Sequence, residues 1–420
     1  MANLKFGAFL APHHPIGEHP TLQFRSDLAL VTRLEELGYD EFWCGEHHST
    51  GWEMIASPEL FLAAAAEHTG RIMLGTGVVS LPYHHPFMVA ERIVQLDHQS
   101  RGRVIFGSGP GALPSDAHVL GLDPMLLRDR QDEAMGVIRR LFDGERFSHK
   151  SEWFTLRDAK LHLRPLQERI EFAVASMVSP SGMTLAGKHE AGVLSIGSMS
   201  KDGIKALPMQ WSFAEESAAK HGKRVDRKNW RIVISWHIAE TRQQAREQAR
   251  DGLLRHNNQY TVGTLAGGKG TIYKTPDEAV DGVALAEEST AVIGTPDDLT
   301  ARVRQLAQIT GGFGCVIGFA HDWANREDTL RSWDLVARYV IPEVNGLLDD
   351  YRDSNRFVIE NRSYWDRAGE AVASKIRQNE RAYAAAKEDE AKGRQVLSGG
   401  RRVTDAQRPG DSRSGDGKTA

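Results

Sequence analysis

Short apolar runs alternate along the chain with longer segments in which apolar residues recur every three to four positions, the pattern of strand–helix units that build a parallel sheet. The spacing predicts eight strands, at Leu4–Leu10, Asp40–Cys44, Ile72–Leu81, Arg103–Ser108, Glu171–Ser176, Gly192–Ile196, Arg231–Ala239 and Gly314–Phe319. Helices are expected between them at Thr21–Leu37, from Pro58 through Ala66, and near Phe87–Ser100, Arg128–Phe142, Ser181–His189, Ile204–His221, Thr241–Asn257, Pro296–Ile309 and Arg326–Asn345. Gly38 stands where a C-terminal glycine cap belongs, and Pro58 suits a first helical turn. Eight strand–helix pairs point to an α/β protein, a (β/α)8 TIM barrel with insertions, closed by its first and last strands, rather than an open doubly wound sheet.

Two insertions interrupt the repeat. Phe147–Leu163 alternates aromatic and polar residues, as a hairpin does, whereas Tyr260–Thr290 holds Gly263, Gly267, Gly268 and Gly270 and reads as a mobile loop able to act as a lid. The barrel is expected over residues 1–350, a charged, Ala-rich helical extension over 351–397, and a disordered tail over 398–420. Composition excludes several classes. Of 420 residues, 40% are hydrophobic and 26% charged, with no apolar run long enough for a membrane span, so no membrane partner is expected. The net charge of −4 offers no footprint for nucleic acid. No secretory signal opens the chain, and two distant cysteines, Cys44 and Cys315, fit a reducing cytoplasm.

The candidate chemistry lies after the strands. His13 and His14, His47 and His48, His84 and His85, and His98 form four groups, three of them just past strand-like segments, where parallel α/β folds build active sites. Adjacent histidines on a strand point to opposite faces, which argues against a metal held by such a pair, and no metal ligand set is expected. Any one of them is as readily a turn residue bonded to backbone. As a set, Glu46-His47-His48 and the turn Pro82-Tyr83-His84-His85-Pro86 would put titratable groups beside one pocket. Phe106-Gly107-Ser108-Gly109-Pro110-Gly111 would let a flat ligand or a phosphate approach the backbone, although it is not a dinucleotide fingerprint. Ser176, Ser179 and Ser181 precede or open a helix, which suits a phosphate or a plain N-cap. Phe9, Trp52, Tyr83 and Trp236 would serve as pocket walls or as core.

Taken together, Lys5-Phe6-Gly7-x-Phe9, Gly38-Tyr39-Asp40-x-x-Trp43-x-x-Glu46-His47-His48, Gly75-Thr76-Gly77-Val78-Val79 with Leu81-Pro82-x-x-His85-Pro86, and Asp97-x-x-Ser100-x-Gly102-Arg103 with Phe106-Gly107 resemble the bacterial luciferase-like flavin-dependent monooxygenases, most of all the limonene 1,2-monooxygenase type. The resemblance spans about residues 3 to 345. It implies a barrel that dimerises and binds reduced flavin at its mouth, FMN first and FAD second, supplied by a separate flavin reductase that consumes NAD(P)H. It implies catalysis by His47, with Glu46 and His48 beside it, a cis peptide at Gly77-Val78, and cofactor contacts from Gly77, Val78, Gly107, Ser108, Gly109, Ser176, Ser179 and Ser181. Gly109 replaces the reactive cysteine of luciferases and Pro110 a basic residue that meets the phosphate there, so light emission is not expected.

The implied reaction passes one atom of O2, through a flavin C4a-hydroperoxide, to a small apolar organic substrate such as a terpene. A histidine titrating near neutrality would decide between electrophilic transfer to an alkene and attack on a carbonyl. The alternatives are an oxidoreductase using the deazaflavin F420, a metal-dependent barrel hydrolase, and a flavin-binding protein without catalysis.

Overall fold

The computed structural model describes residues 3–11, 14–265, 268–285 and 289–392. His13, Gly267 and the tail expected from residue 398 lie outside these residues. The strands are β1 (Lys5–Leu10), β2 (Glu41–Cys44), β3 (Met73–Thr76), β4 (Val79–Ser80), β5 (Val104–Gly109), β6 (Phe147–Lys150), β7 (Thr155–Ala159), β8 (Glu171–Ser176), β9 (Gly192–Ser195), β10 (Trp230–Ile238), β11 (Ala291–Gly294) and β12 (Cys315–Ala320). Eight of them, β1, β2, β3, β5, β8, β9, β10 and β12, run parallel in a closed ring. Pairing of Lys5 with Cys315 and of Gly7 with Glu41 joins β1 to both the last and the second strand. The fold is therefore the (β/α)8 barrel that the periodicity required.

Three elements differ in detail from the sequence reading. The single strand expected over Ile72–Leu81 breaks at Gly77-Val78, whose peptide bond is cis, leaving β4 to pair with the end of β5. β11 was not expected at all. It joins the second half of β10, Ser235 opposite Ala291, after the first half has paired with β9. The stretch Tyr260–Thr290 is in its described part a helical excursion, with turns at His256–Leu265, Pro276–Val280 and Asp281–Leu285. Its glycines are outweighed by Ala279 and Val280, which pack with Ala249, Leu253 and Trp323 in a small core of their own. The hairpin expected near Phe147 is present as antiparallel β6 and β7.

Inside the ring, Phe9, Trp43, Ile105, Val233, Ile317 and Phe319 form one apolar cluster, while a larger cluster fills the space between sheet and helices. Trp43 takes its room from glycine: a Cβ on Gly75 would lie 2.4 Å from the indole, and one on Gly107 would lie 3.0 Å from it and 1.9 Å from the Thr76 carbonyl oxygen. At the amino ends of the strands Arg231 donates to Glu41 at 2.7 and 2.9 Å and to Glu171 at 2.6 Å. Burial opposes the charge of this guanidinium, and the two carboxylates more than restore it, holding its pKa well above the usual value.

By its internal contacts the chain divides into two units, residues 1–346 and 347–420. The first carries the barrel. The described part of the second consists of helices Asp349–Glu360, Arg362–Arg377 and Glu380–Ala391, with Ala373 and Ala386 its buried apolar side chains. Among the described residues no helix is long and apolar enough to cross a membrane.

Candidate active site

The carboxyl ends of the strands surround a cavity of about 1020 Å³, whose wall includes Phe9, His47, Val78, Gly109, Ser181 and Tyr260. His47 follows β2, and its amide bonds to the Ile55 carbonyl, which fixes the backbone at the rim. Its side chain lies between two carboxylates. Nδ1 is 3.2 Å from Asp116 Oδ2, on the short helix Pro114–Val119 beyond β5, and Nε2 is 2.9 Å from Glu53 Oε2. Burial alone would favour the neutral ring; Asp116 and Glu53 outweigh it and lift the pKa to about 9. At neutral pH His47 is thus an imidazolium with both nitrogens protonated, a correction to the near-neutral titration expected from sequence.

Glu46 and His48 behave differently from His47. The Glu46 carboxylate is buried, yet its Oε1 accepts from His48 Nε2 at 2.8 Å and His84 Nε2 at 2.6 Å, and its Oε2 from the Ser80 amide at 2.7 Å. Desolvation opposes ionisation and these three donors overcome it, pulling the pKa down to about 2. His48 is directed to Glu46 rather than to the cavity wall, so the two neighbouring histidines, both beyond the end of β2, diverge. Donor atoms of Glu46, His48 and His84 lie within 4.8 Å of one another, a convergence that takes one histidine from each pair. As arranged, the N–H groups of His48, His84 and Ser80 occupy both carboxylate oxygens and clasp the ends of β2 and β4 together.

The remaining expected residues divide in two. Gly77, Val78, Gly109, Ser179 and Ser181 line the cavity, whereas Gly107, Ser108 and Ser176 do not. Gly107 is used up by Trp43 and Thr76. Ser108 accepts from Gln131 at 3.3 Å behind the strand, and Ser176 is buried beneath the helix Ser181–His189. Period-two alternation explains Ser108 and Ser176, since only every other residue of a barrel strand faces inward, whereas Gly107 faces inward and is covered by Trp43. Among the aromatic residues considered, Phe9 lines the cavity but Trp52, Tyr83 and Trp236 do not. Trp236 packs against Trp333 at a ring separation of 5.0 Å. His14, His85 and His98 are tied up elsewhere: His14 between Asp27 and Asp322, His85 as the cap of the helix Pro86–Gln99, and His98 on the Arg164 carbonyl.

Sequence reasoning missed Asp116 and Glu53, since a lone acidic residue carries no local mark of a partner distant in the chain. It also missed Arg128 and Lys188, which line the cavity, Lys188 in an ion pair with Asp132 at 2.6 Å. Ser179 and Ser181 are hydrogen-bonded to each other through their hydroxyls at 2.8 Å, at the start of a helix whose free amides favour an anion. The arrangement suits a ligand with an anionic end near Ser181 and a planar part beside Gly77, Val78 and Gly109, under a protonated imidazole.

Known proteins point the same way. A family profile described as luciferase-like monooxygenase matches residues 4–312. Similar curated proteins include 4-hydroxyprotoasukamycin monooxygenase of Streptomyces nodosus subsp. asukaensis, 47% identical over 86% of this chain and 97% of that protein. Limonene 1,2-monooxygenase of Rhodococcus erythropolis is 45% identical over 90% of this chain and 97% of its own length. Among solved structures, the oxygenating constituent of 3,6-diketocamphane monooxygenase from Pseudomonas putida, a type II Baeyer-Villiger monooxygenase in complex with FMN, superposes with a TM-score of 0.69 at 25% identity, covering 81% of this chain and 99% of that one.

Proposed function

The chain belongs to the luciferase-like monooxygenase family, and from that premise we propose that it binds reduced FMN at the barrel mouth and uses His47 as proton donor while one atom of O2 is transferred to an alkene in a small apolar substrate. The observation that carries the reading is the cavity of about 1020 Å³ with an imidazolium in its wall. Its size is at the top of the range for small-molecule sites, about 300–1,000 Å³, and leaves room for cofactor and substrate together.

The residues fit a flavin. Gly77 and Gly109 make room for Phe9 and Val78, which offer apolar contacts where a planar ring would lie. Ser179 and Ser181 would meet the phosphate, with Arg128 supplying the positive charge that Pro110 cannot, while Lys188 is paired with Asp132 at 2.6 Å. Bound reduced flavin supplies two electrons to O2, so that one oxygen atom enters the substrate and the other leaves as water. His47 holds a proton on Nε2 for the departing oxygen, and its charge keeps the transferred oxygen electrophilic, which favours an alkene over a carbonyl. Leu253, Leu265, Val283 and Phe319 in the cavity wall exclude water from the reacting atoms. A terpene such as limonene suits this chamber. The reductase fed by NAD(P)H, a homodimeric assembly and a cytoplasmic setting belong to the same proposal.

The test mixes the protein, loaded with reduced FMN, with oxygenated buffer in a stopped-flow spectrophotometer, in the presence and absence of limonene. An absorbing species distinct from reduced and oxidised flavin is expected before reoxidation, and the alkene should hasten its decay and yield epoxide. In His47→Ala, FMN binding should persist while epoxide formation falls about 10²- to 10⁴-fold. Reoxidation indistinguishable from that of free flavin would overturn the reading.

A further inference from the structure

The His47 nitrogen that faces away from Asp116 also has a carboxylate beside it: Glu53 Oε2 stands 2.9 Å away, an ion-pair contact without hydrogen-bond alignment, so the N–H is not engaged by it. Glu53 is itself only 4% exposed, and its other oxygen, Oε1, accepts from the hydroxyl of Tyr260. Tyr260 is equally buried and sits on the helical turn His256–Leu265 of the excursion, its ring packed 5.6 Å from Trp52, the residue before Glu53. His47, Glu53 and Tyr260 all line the cavity.

We propose that Glu53 is a positioning residue for His47, holding the imidazole from the side opposite Asp116 and linking it to Tyr260 of the excursion. The inference rests on the reading of His47 as proton donor and deepens it. Ion-paired contact at both nitrogens, with a hydrogen bond at Nδ1 alone, confines the ring between two carboxylates, and the excursion holds the second of them through Tyr260. Because the Tyr260 hydroxyl takes Oε1, Oε2 is left for His47. The seating of the excursion over the cavity and the direction of the donated proton are therefore set by one side chain. Among the described residues the charged and titratable groups that face His47 are Asp116 from the helix Pro114–Val119, Glu53, and the neighbouring His48; Tyr260 bonds to Glu53.

Two substitutions in the full chain separate charge from placement. Glu53→Gln removes the charge at constant size, and Glu53→Asp keeps it but withdraws the carboxylate by one methylene. Histidine-labelled protein without flavin, titrated by NMR, should show the His47 midpoint fall by at least about one pH unit in Glu53→Gln, the effect of losing one close opposite charge. In Glu53→Asp the midpoint should stay within about half a unit of the wild type, while turnover of the alkene by the FMN-loaded enzyme drops at least about tenfold, as misplacement of a donor by an ångström does. Retained FMN affinity shows that both variants are folded. A Glu53→Gln midpoint equal to the wild type's overturns the inference, as does full turnover in Glu53→Asp with the wild-type pH profile. If the midpoint moves while Glu53→Gln and His47→Ala both turn over normally, the link between Glu53 and His47 stands and the proton-donor reading falls.

Discussion

His47 shows how far a side chain's chemistry is set by its neighbours. An isolated imidazole loses half its protons near pH 6.5; here Asp116 and Glu53 keep the proton on up to about pH 9. Because the folded pKa is raised, the ion pairs stabilise the protein fully below the unfolded pKa near 6.5, and that contribution disappears as pH rises through about 9. His14, between Asp27 and Asp322, adds a parallel term that is lost as pH climbs through about 10. Thermal denaturation should therefore show a melting temperature that holds near pH 6 and declines between about pH 7 and 10. The decline should shrink in a Glu53→Gln background. A flat profile across that window would mean that the imidazoles are not charged in the folded state.

Among the elements, the ends of the barrel strands have divided labour. At the amino ends, Arg231 of β10 binds Glu41 of β2 and Glu171 of β8 across the barrel floor. Such a buried group is expected to matter for stability and not for turnover, because it faces the end of the barrel away from the site. Arg231→Ala leaves Glu41 buried without its partner and should cost about 3–5 kcal/mol in urea unfolding. FMN affinity per folded molecule should remain unchanged. Loss of FMN affinity without loss of stability would contradict this division. At the carboxyl ends, the clasp of Glu46 on His48, His84 and Ser80 and the excursion from His256 to Leu285 shape the rim instead.

The whole molecule depends on ring closure, since the cavity exists only where the strand ends meet. A ligand that needs this arrangement stabilises the folded chain by mass action, so reduced FMN at a hundred times its Kd should raise the unfolding free energy by about 2.7 kcal/mol. Anaerobic thermal melts with and without reduced FMN measure this. The gain should belong to the transition of residues 1–346, which hold every cavity-lining residue named here. No shift in melting would mean that the mouth of the barrel does not bind flavin.

Sequence alone determined what is periodic or local. Alternation of short apolar runs with amphipathic segments fixed the eight barrel strands to within a residue or two at most ends, and glycine and proline marked where helices stop and start. The motif residues, taken in order, located the rim and His47. Tertiary structure decided everything that joins residues distant in the chain. Asp116 reaches His47 from the helix Pro114–Val119 and Glu53 from a separate segment, so its titration could not be read from the string around it. Gly107 and Ser108 read alike in the sequence, but Ser108 faces out of the ring toward Met135 and Gln131, and Gly107 faces in and makes room for Trp43. β11 and the helical excursion were hidden for the same reason: their residues find partners in β10 and in a small core with Ala249, Leu253 and Trp323, contacts that a one-dimensional pattern does not encode.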